Sequence, residues 1–116
     1  MIDKLITSTL AALPAPSYRA VVKDNKKPKP ETYIVFQYLN TAPTAHADDD
    51  YDKQEHTLRV HIFSKADYAQ LLNETVTALK AAGFLISSID NEMYEDDTAY
   101  YHRPITIYYL EELQCN

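Results

Sequence analysis

Hydrophobic and polar residues alternate through the stretch HTLRVHIFSK, which covers positions 56–65. Leu58, Val60 and Ile62 fall on one side of an extended chain, and the residues between them fall on the other. This period of two predicts a β-strand with one buried face. We expect the rest of the chain to pack against this strand.

The stretch that follows has the period of an amphipathic helix. Ser64 stands three residues before Asp67, the spacing of a capping box, which predicts a helix that begins near Lys65. The helix is predicted to end at Gly83, the only glycine in the chain, because helices often stop at a left-handed residue. A β-branched residue at this position is therefore expected to cost stability. The predicted apolar stripe consists of Tyr68, Leu71, Leu72, Thr75, Val76, Leu79 and Ala82.

The other apolar segments predict a first helix and three more strands. Positions 2–13 carry a helical stripe that ends at Pro14 and Pro16. Pro104 has no amide hydrogen, which indicates that the last strand lies at a sheet edge or starts its paired segment there. The strands are predicted at positions 33–39, 84–94 and 100–110, with a short extended piece at 18–22.

The resulting order, helix-strand-strand-helix-strand-strand, predicts an α+β fold. We expect a mixed four-stranded sheet with helices packed on it. The two strands that flank the second helix are predicted to be parallel, and the other sequential pairs antiparallel. At 116 residues, the chain is long enough for a single domain with one core. Two polar segments, 23–31 and 41–54, are predicted to be flexible.

Composition excludes several function classes. The formal net charge of -6 opposes binding to phosphate backbones, which disfavours a nucleic-acid-binding protein. A single glycine excludes the phosphate loops and dinucleotide-binding turns that need several. The chain has no long apolar run, no signal-peptide pattern and one cysteine, Cys115. These features predict a soluble intracellular protein without disulfides or a membrane span.

Four histidines are the main candidates for catalysis or metal binding. His56 and His61 are five positions apart, so on one strand they face opposite sides and cannot bind a common ion. His102 and its neighbour Arg103 are expected to pair electrostatically with acidic residues at 95–97. No nucleophile with a base and an orienting group can be assembled from the sequence. We therefore expect no catalytic residue, no metal and no cofactor.

The predicted flexible segment at 41–54 is acidic, with four aspartates within positions 48–52. A calcium loop is one interpretation of such a cluster. However, the segment lacks the turn glycine and the terminal bidentate glutamate of the helix-loop-helix calcium site. A mobile acidic loop that contacts a partner surface is the alternative that we prefer.

Three segments follow one another in a distinctive order: HTLRVHIFSK, DYAQLLNETVTALKAAGF and MYEDDTAYYHRPITIYY. In this order they resemble the tail terminator, or tail-to-head joining, family of tailed bacteriophages and prophages. The resemblance covers positions 33–110 and contains no catalytic signature. The matching residues are Ser64, Lys65, Asp67, Tyr68, Gly83, Phe84, Tyr94, Glu95, Asp97, Thr98, Tyr101, His102 and Arg103.

The resemblance implies a non-enzymatic subunit that forms a ring, commonly a hexamer, at the head-proximal end of the phage tail. Such a ring stops tail growth and joins the tail to the head, so its partners would be the tail tube protein and a head-completion or neck protein. DNA would pass through without specific binding, and the protein would occur in the host cytoplasm and then in the virion. The basic and acidic segments would contact neighbouring subunits or partners through Lys26, Lys27, Lys29, Asp48, Asp49, Asp50, Tyr51 and Asp52.

Two other functions stay open at this point. One is a small intracellular enzyme or ligand-binding domain with a pocket between sheet and helices, lined by tyrosines and His61. Its mark would be a monomer with saturable binding of a small molecule. The other is a neighbouring neck or head-closure protein of the same particle.

Overall fold

The protein is built on a mixed β-sheet with two helices packed on it. The computed structural model describes residues 2–19, 30–43 and 53–112. Within these ranges the sheet has six strands in the order β1-β2-β3-β6-β4, and β5 also pairs with β6. In chain order the elements are α1 (Ile2–Ala11), β1 (Ser17–Arg19), β2 (Thr32–Pro43), β3 (Lys53–Ser64), α2 (Ala69–Ala81), β4 (Leu85–Ile89), β5 (Met93–Glu95) and β6 (Tyr100–Glu112).

The predicted α+β class and mixed sheet are confirmed, but the prediction of four strands is wrong. One additional strand is β1, which pairs in parallel with β2. The other arises because the predicted strand at 84–94 is divided into β4 and β5. The strand is interrupted at Asp90. Here the Ser88 hydroxyl donates to Asp90 Oδ1 at 2.8 Å, and the Asp90 amide donates to the Pro104 carbonyl at 2.8 Å. Polar side chains thus interrupt an otherwise strand-like pattern.

The parallel relation predicted across α2 is confirmed. Both β3 and β4 pair antiparallel with β6, one on each side of it, so they run parallel to each other without touching. The last strand of the chain is therefore inserted between the two strands that flank the helix. Its long partner β3 follows it over twelve residue pairs.

Both interpretations of Pro104 are wrong: β6 lies inside the sheet rather than at its edge, and its pairing with β3 begins at Tyr101, before the proline. Pro104 is buried and stands opposite His61 on β3. Its carbonyl points toward the other neighbour, where it accepts the Asp90 amide in the gap between β4 and β5. Because N and C=O of one residue point to the same side of a strand, the missing amide hydrogen also falls in this gap. No ladder bond is lost there.

Pairing between β2 and β3 continues further than the sequence indicated. Thr41 pairs with His56 and the ladder reaches Gln54, after a bulge between Tyr38 and Asn40. Residues 41–43 and 53–54, predicted as parts of a flexible segment, therefore belong to strands.

The helix predicted to begin near Lys65 begins at Ala69 instead. Ser64 does not cap it, because this residue is the buried end of β3 and its hydroxyl lies 2.9 Å from that of Thr32. The Asp67 carboxylate accepts the Ala69 amide at 3.0 Å and so satisfies one free donor of the first turn. The capping box therefore separates into a strand end and a local turn.

The predicted end of α2 at Gly83 is confirmed. Gly83 has φ of 101°, and its amide donates to the Lys80 carbonyl at 3.0 Å. The next amide, of Phe84, donates to the Leu79 carbonyl at 3.0 Å. These two bonds form a Schellman motif, which needs a left-handed residue at this position.

The helices cover one face of the sheet with an aliphatic core. The alternation predicted for β3 is confirmed, since Leu58, Val60 and Ile62 are fully buried on this face. The stripe of α1 reaches the same core, although the helix ends at Ala11 rather than position 13. The core residues are Ile2, Ile6, Leu10, Ala15, Ile34, Phe36, Leu58, Val60, Ile62, Leu71, Leu79, Phe84, Ile105 and Ile107.

Candidate functional site

The opposite face of the sheet carries a second cluster, made mainly of aromatic rings. The rings of Tyr33 and Phe63 are stacked at 4.9 Å between centroids, and those of Phe63 and His102 at 4.3 Å. Within the described ranges, neither helix contributes a buried side chain to this cluster. We call it the aromatic face; it consists of Tyr18, Tyr33, Val35, His61, Phe63, Tyr100 and His102.

The aromatic face is held at its margin by side-chain contacts to other elements. The ring of Tyr100 meets that of Tyr33 edge-on at 5.4 Å, and its hydroxyl donates to the Pro30 carbonyl at 2.6 Å. Burial raises the pKa of Tyr33 to about 12, with smaller contributions from Tyr100, Glu95 and Tyr18. Burial also raises the pKa of Tyr100, so neither Tyr33 nor Tyr100 carries a charge at physiological pH.

Two histidines from neighbouring strands meet on this face. His61 of β3 and His102 of β6 lie diagonally across the ladder, since their direct partners are Pro104 and Phe63. The Nδ1 of His61 lies 2.6 Å from the Nε2 of His102, and both rings are half-buried. At this distance one imidazole donates to the other, which requires at least one unprotonated nitrogen in the contact.

The surroundings of the histidine pair favour neutral imidazoles. Burial, then His102 and Arg59, lowers the pKa of His61 to about 4. Burial also lowers the pKa of His102; Glu95 opposes this shift and Arg59 adds to it. At pH 7 neither ring therefore needs to carry a charge.

The third described histidine lies on the helix-covered side of the sheet, as predicted. His56 is buried, with Nδ1 2.9 Å from the Thr41 hydroxyl and Nε2 2.9 Å from Glu111 Oε1. It therefore cannot share an ion with His61, which agrees with the spacing argument. Within the described part of the chain, no group of three or more His, Cys, Asp or Glu side chains is placed to hold a metal ion.

A cleft opens on the helix-covered side beside the start of α2. It has a volume of about 660 Å³ and is lined in part by Lys65, Tyr68, Tyr101 and Arg103. The Tyr68 hydroxyl donates to Glu92, and burial followed by this bond raises the pKa of Tyr68. Acidic and basic side chains are thus mixed in this cleft.

Two predictions about sites need correction at this cleft. The ligand-binding alternative predicted a pocket between sheet and helices lined by tyrosines and His61. The cleft is lined by tyrosines but not by His61, which lies on the aromatic face. Arg103 was expected to pair with the acidic turn at 95–97, but its side chain faces the cleft, beside Glu92. The cause is register, because alternate residues of β6 point to opposite faces.

The outer edge of the sheet at β4 and β5 exposes large apolar side chains. Leu85 is 67% exposed, Ile89 41%, Met93 47% and Tyr94 51%. We call these four residues the apolar edge. Asp90 lies between the two strands, and the Ser88 hydroxyl bond, with the Thr106 bond and Arg59, lowers its pKa. Within the described ranges no strand pairs with the outer side of β4 or β5. Apolar side chains at such an edge are typical of an interaction surface, because isolated chains normally protect their edges with charge.

The residues predicted to contact partners all lie outside the described residues. They are Lys26, Lys27, Lys29, Asp48, Asp49, Asp50, Tyr51 and Asp52. The aromatic face and the apolar edge were not identified from the sequence. The only available signal was the large number of tyrosines, ten in the chain, of which any could have been an ordinary strand residue.

The chain matches no model of a known protein family, and no curated protein matches it. Among the described residues, neither helix has the length and apolar character needed to span a membrane.

Proposed function

We propose that this protein is a non-enzymatic phage structural subunit that forms a ring, a hexamer, at the head-proximal end of the tail. The ring ends tail assembly and offers a docking surface to the head. It assembles in the host cytoplasm and remains in the virion. The observation that carries the proposal is the apolar edge, together with the order of sequence motifs over positions 33–110.

The apolar edge suits contact between subunits. Its side chains flank the outermost strands on both faces of the sheet, Leu85 and Met93 on the side of the aromatic face and Ile89 and Tyr94 on the helix-covered side. Among the described residues no strand pairs with the outer side of β4 or β5, so main-chain groups there can pair with a neighbour. Burying such side chains contributes about 25 cal/mol per Å² of apolar surface, before the costs of association.

The two ends of the sheet differ, which supports a ring rather than a two-fold dimer. One end is the three-residue strand β1, and the other is the apolar edge on β4 and β5. A head-to-tail contact between unlike surfaces propagates around an axis and closes when the rotation permits it. The partners of such a ring would be the tail tube protein below and a head-completion protein above.

The charge of the chain is compatible with this position. A net charge of -6 discourages the binding of phosphate backbones, so DNA would pass the ring without being retained. No base-reading or phosphate-binding element is needed for that role.

The proposal is tested by incubating the purified protein with tubes assembled from the tail tube protein encoded near it, followed by sedimentation and electron microscopy. We expect rings at one end of each tube and arrested growth. Growing tubes with all of the protein left in the supernatant would contradict the terminator role.

A substitution in the apolar edge tests whether this surface makes the contact. Leu85→Glu should reduce the fraction of capped tubes by about tenfold, because a charge would be buried at the interface. Thr77→Glu, on the exposed side of α2, adds the same charge elsewhere and should leave capping unchanged. Equal capping by both variants would exclude the apolar edge.

A second candidate is a neighbouring neck or head-closure protein, since the apolar edge would serve there as well. Binding to the head-completion protein without binding to tubes would identify it. The enzyme alternative placed His61 in a pocket between sheet and helices. This arrangement is not found in the cleft beside α2, whose lining does not include His61.

A further inference from the structure

The pair of imidazoles on the aromatic face has no role in the proposed assembly of subunits or in tail joining. We propose that His61 and His102 form a binding site for a divalent transition-metal ion of the kind that imidazole favours, with Cu²⁺ preferred over Zn²⁺. The two histidines would be its only protein ligands, and water would complete the coordination. Met93 of the apolar edge stands opposite His102 in the β5–β6 ladder, so the two features adjoin. Ion binding is measured on the isolated chain without tubes, so its failure is distinguishable from a failure of the proposed function.

The separation of the two nitrogens is close to that of a chelate. His61 Nδ1 and His102 Nε2 are 2.6 Å apart. Two metal–nitrogen bonds of about 2.0 Å at a right angle, as in a tetragonal Cu²⁺ site, place their nitrogens about 2.8 Å apart. A tetrahedral Zn²⁺ site requires about 3.3 Å. The ring centroids are 4.8 Å apart, so the two nitrogens now point nearly at each other, as in a hydrogen bond. Both rings must turn outward before their lone pairs can meet one ion, and the turn is smaller for Cu²⁺ than for Zn²⁺.

The two rings are held in place by the strands and by stacking. The backbones of β3 and β6 are paired on both sides of the site, through His61 with Pro104 and Phe63 with His102. The ring of His102 also lies on that of Phe63 at an angle of 13°. The strands therefore fix the positions from which the two rings turn, and only rotations about side-chain bonds are needed when an ion binds.

The protonation state of the two imidazoles favours metal binding, and nearby charged side chains change its strength. A metal ion needs an unprotonated nitrogen, and burial lowers the pKa of both imidazoles below the ordinary range. The charge of Arg59 opposes a cation at the site, although Asp90 lies 3.9 Å from its Nε. Glu95 acts in the opposite direction on His102. Removing the charge of Arg59 should therefore strengthen binding.

Calorimetric titration of the full chain with CuCl₂, and separately with ZnCl₂, tests the site. We expect one ion per chain, with Cu²⁺ bound more tightly. His61→Gln and His102→Gln should each weaken Cu²⁺ binding at least tenfold, whereas His46→Gln should leave it unchanged. Arg59→Gln should tighten it about threefold. Circular dichroism of each variant confirms that the fold is retained.

Electron paramagnetic resonance of the Cu²⁺-loaded protein gives a readout that does not depend on stability. We expect hyperfine coupling to two imidazole nitrogens in the wild type and to one in either variant of the pair. Unchanged affinity in both variants, or equal loss in His46→Gln, would overturn the proposal. So would a spectrum of the wild type without nitrogen coupling.

Discussion

The helix-covered face of the sheet carries the larger, mainly aliphatic core, whereas the aromatic face carries stacked rings and two histidines. Adjacent residues of the same strand supply both environments: Ile62 is fully buried under the helices, while Phe63 is half-buried on the other side. One face is therefore suited to holding the fold together. The other retains polar groups and partly accessible rings, which are suited to binding.

The largest expected effect is a difference in stability between substitutions at these two neighbouring positions. Ile62→Ala should cost about 2–5 kcal/mol in the free energy of unfolding, because it leaves a cavity in the core. Phe63→Ala should cost only about 1–2 kcal/mol, since its ring is partly exposed and loses mainly stacking contacts. Urea denaturation of both variants measures the difference. Equal costs would mean that the aromatic face is as important for stability as the core.

The next effect concerns pH and depends only on the aromatic face. The folded protein lowers the pKa of His61 from 6.5 to about 4, so the unfolded chain binds this proton first as the pH falls. Stability is therefore highest above pH 6.5 and decreases between pH 6.5 and 4. After allowance for solvent screening of the half-buried ring, we expect a loss of about 1 kcal/mol from this residue.

Urea titrations at pH 7.5 and 4.5 measure this loss, and His61→Gln should reduce it. The substitution keeps a polar side chain but removes the titrating group. Comparison with the wild type cancels the contributions of the carboxylates, which titrate in both proteins. The interpretation fails if His61→Gln loses as much stability on acidification as the wild type does.

The smallest effects compare two left-handed residues. Gly83 has φ of 101° where α2 returns to the sheet, and Ala99 has φ of 62° in the turn before β6. Gly83→Ala should cost about 1 kcal/mol from backbone strain alone, because the added Cβ would lie at an ordinary 3.5 Å from Tyr109 Cε1. Ala99→Gly should be neutral or stabilising by a few tenths of a kcal/mol. Thermal unfolding distinguishes the two signs, and a stabilised Gly83→Ala would contradict the strain argument.

Local patterns were sufficient to predict much of the fold. The alternation of β3 gave its buried face correctly, and Gly83 gave the end of α2. These predictions succeeded because each depends on residues close in sequence. The predicted start of α2 was wrong because the Ser64 hydroxyl forms a hydrogen bond with that of Thr32. The two residues are thirty-two positions apart, so local spacing does not reveal this contact.

The candidate site depended on long-range register, which the sequence does not display. His61 and His102 are forty-one residues apart and meet only because β6 enters between β3 and β4. The sequence left the order of the strands open, so it did not indicate that β6 lies beside β3. The apolar edge was missed for a related reason, since residues 84–94 gave no indication of which strand would lack a neighbour.

Pro104 has a consequence for how the sheet avoids misalignment. Its ring stands in the gap between β4 and β5, where neither strand requires an amide donor from β6. If β6 slid by two residues, its side chains would keep their faces, and hydrophobic patterning alone would not resist the shift. The proline would then face a strand carbonyl that it cannot satisfy. A residue that resembles a strand breaker thus serves as an alignment key for the central strand.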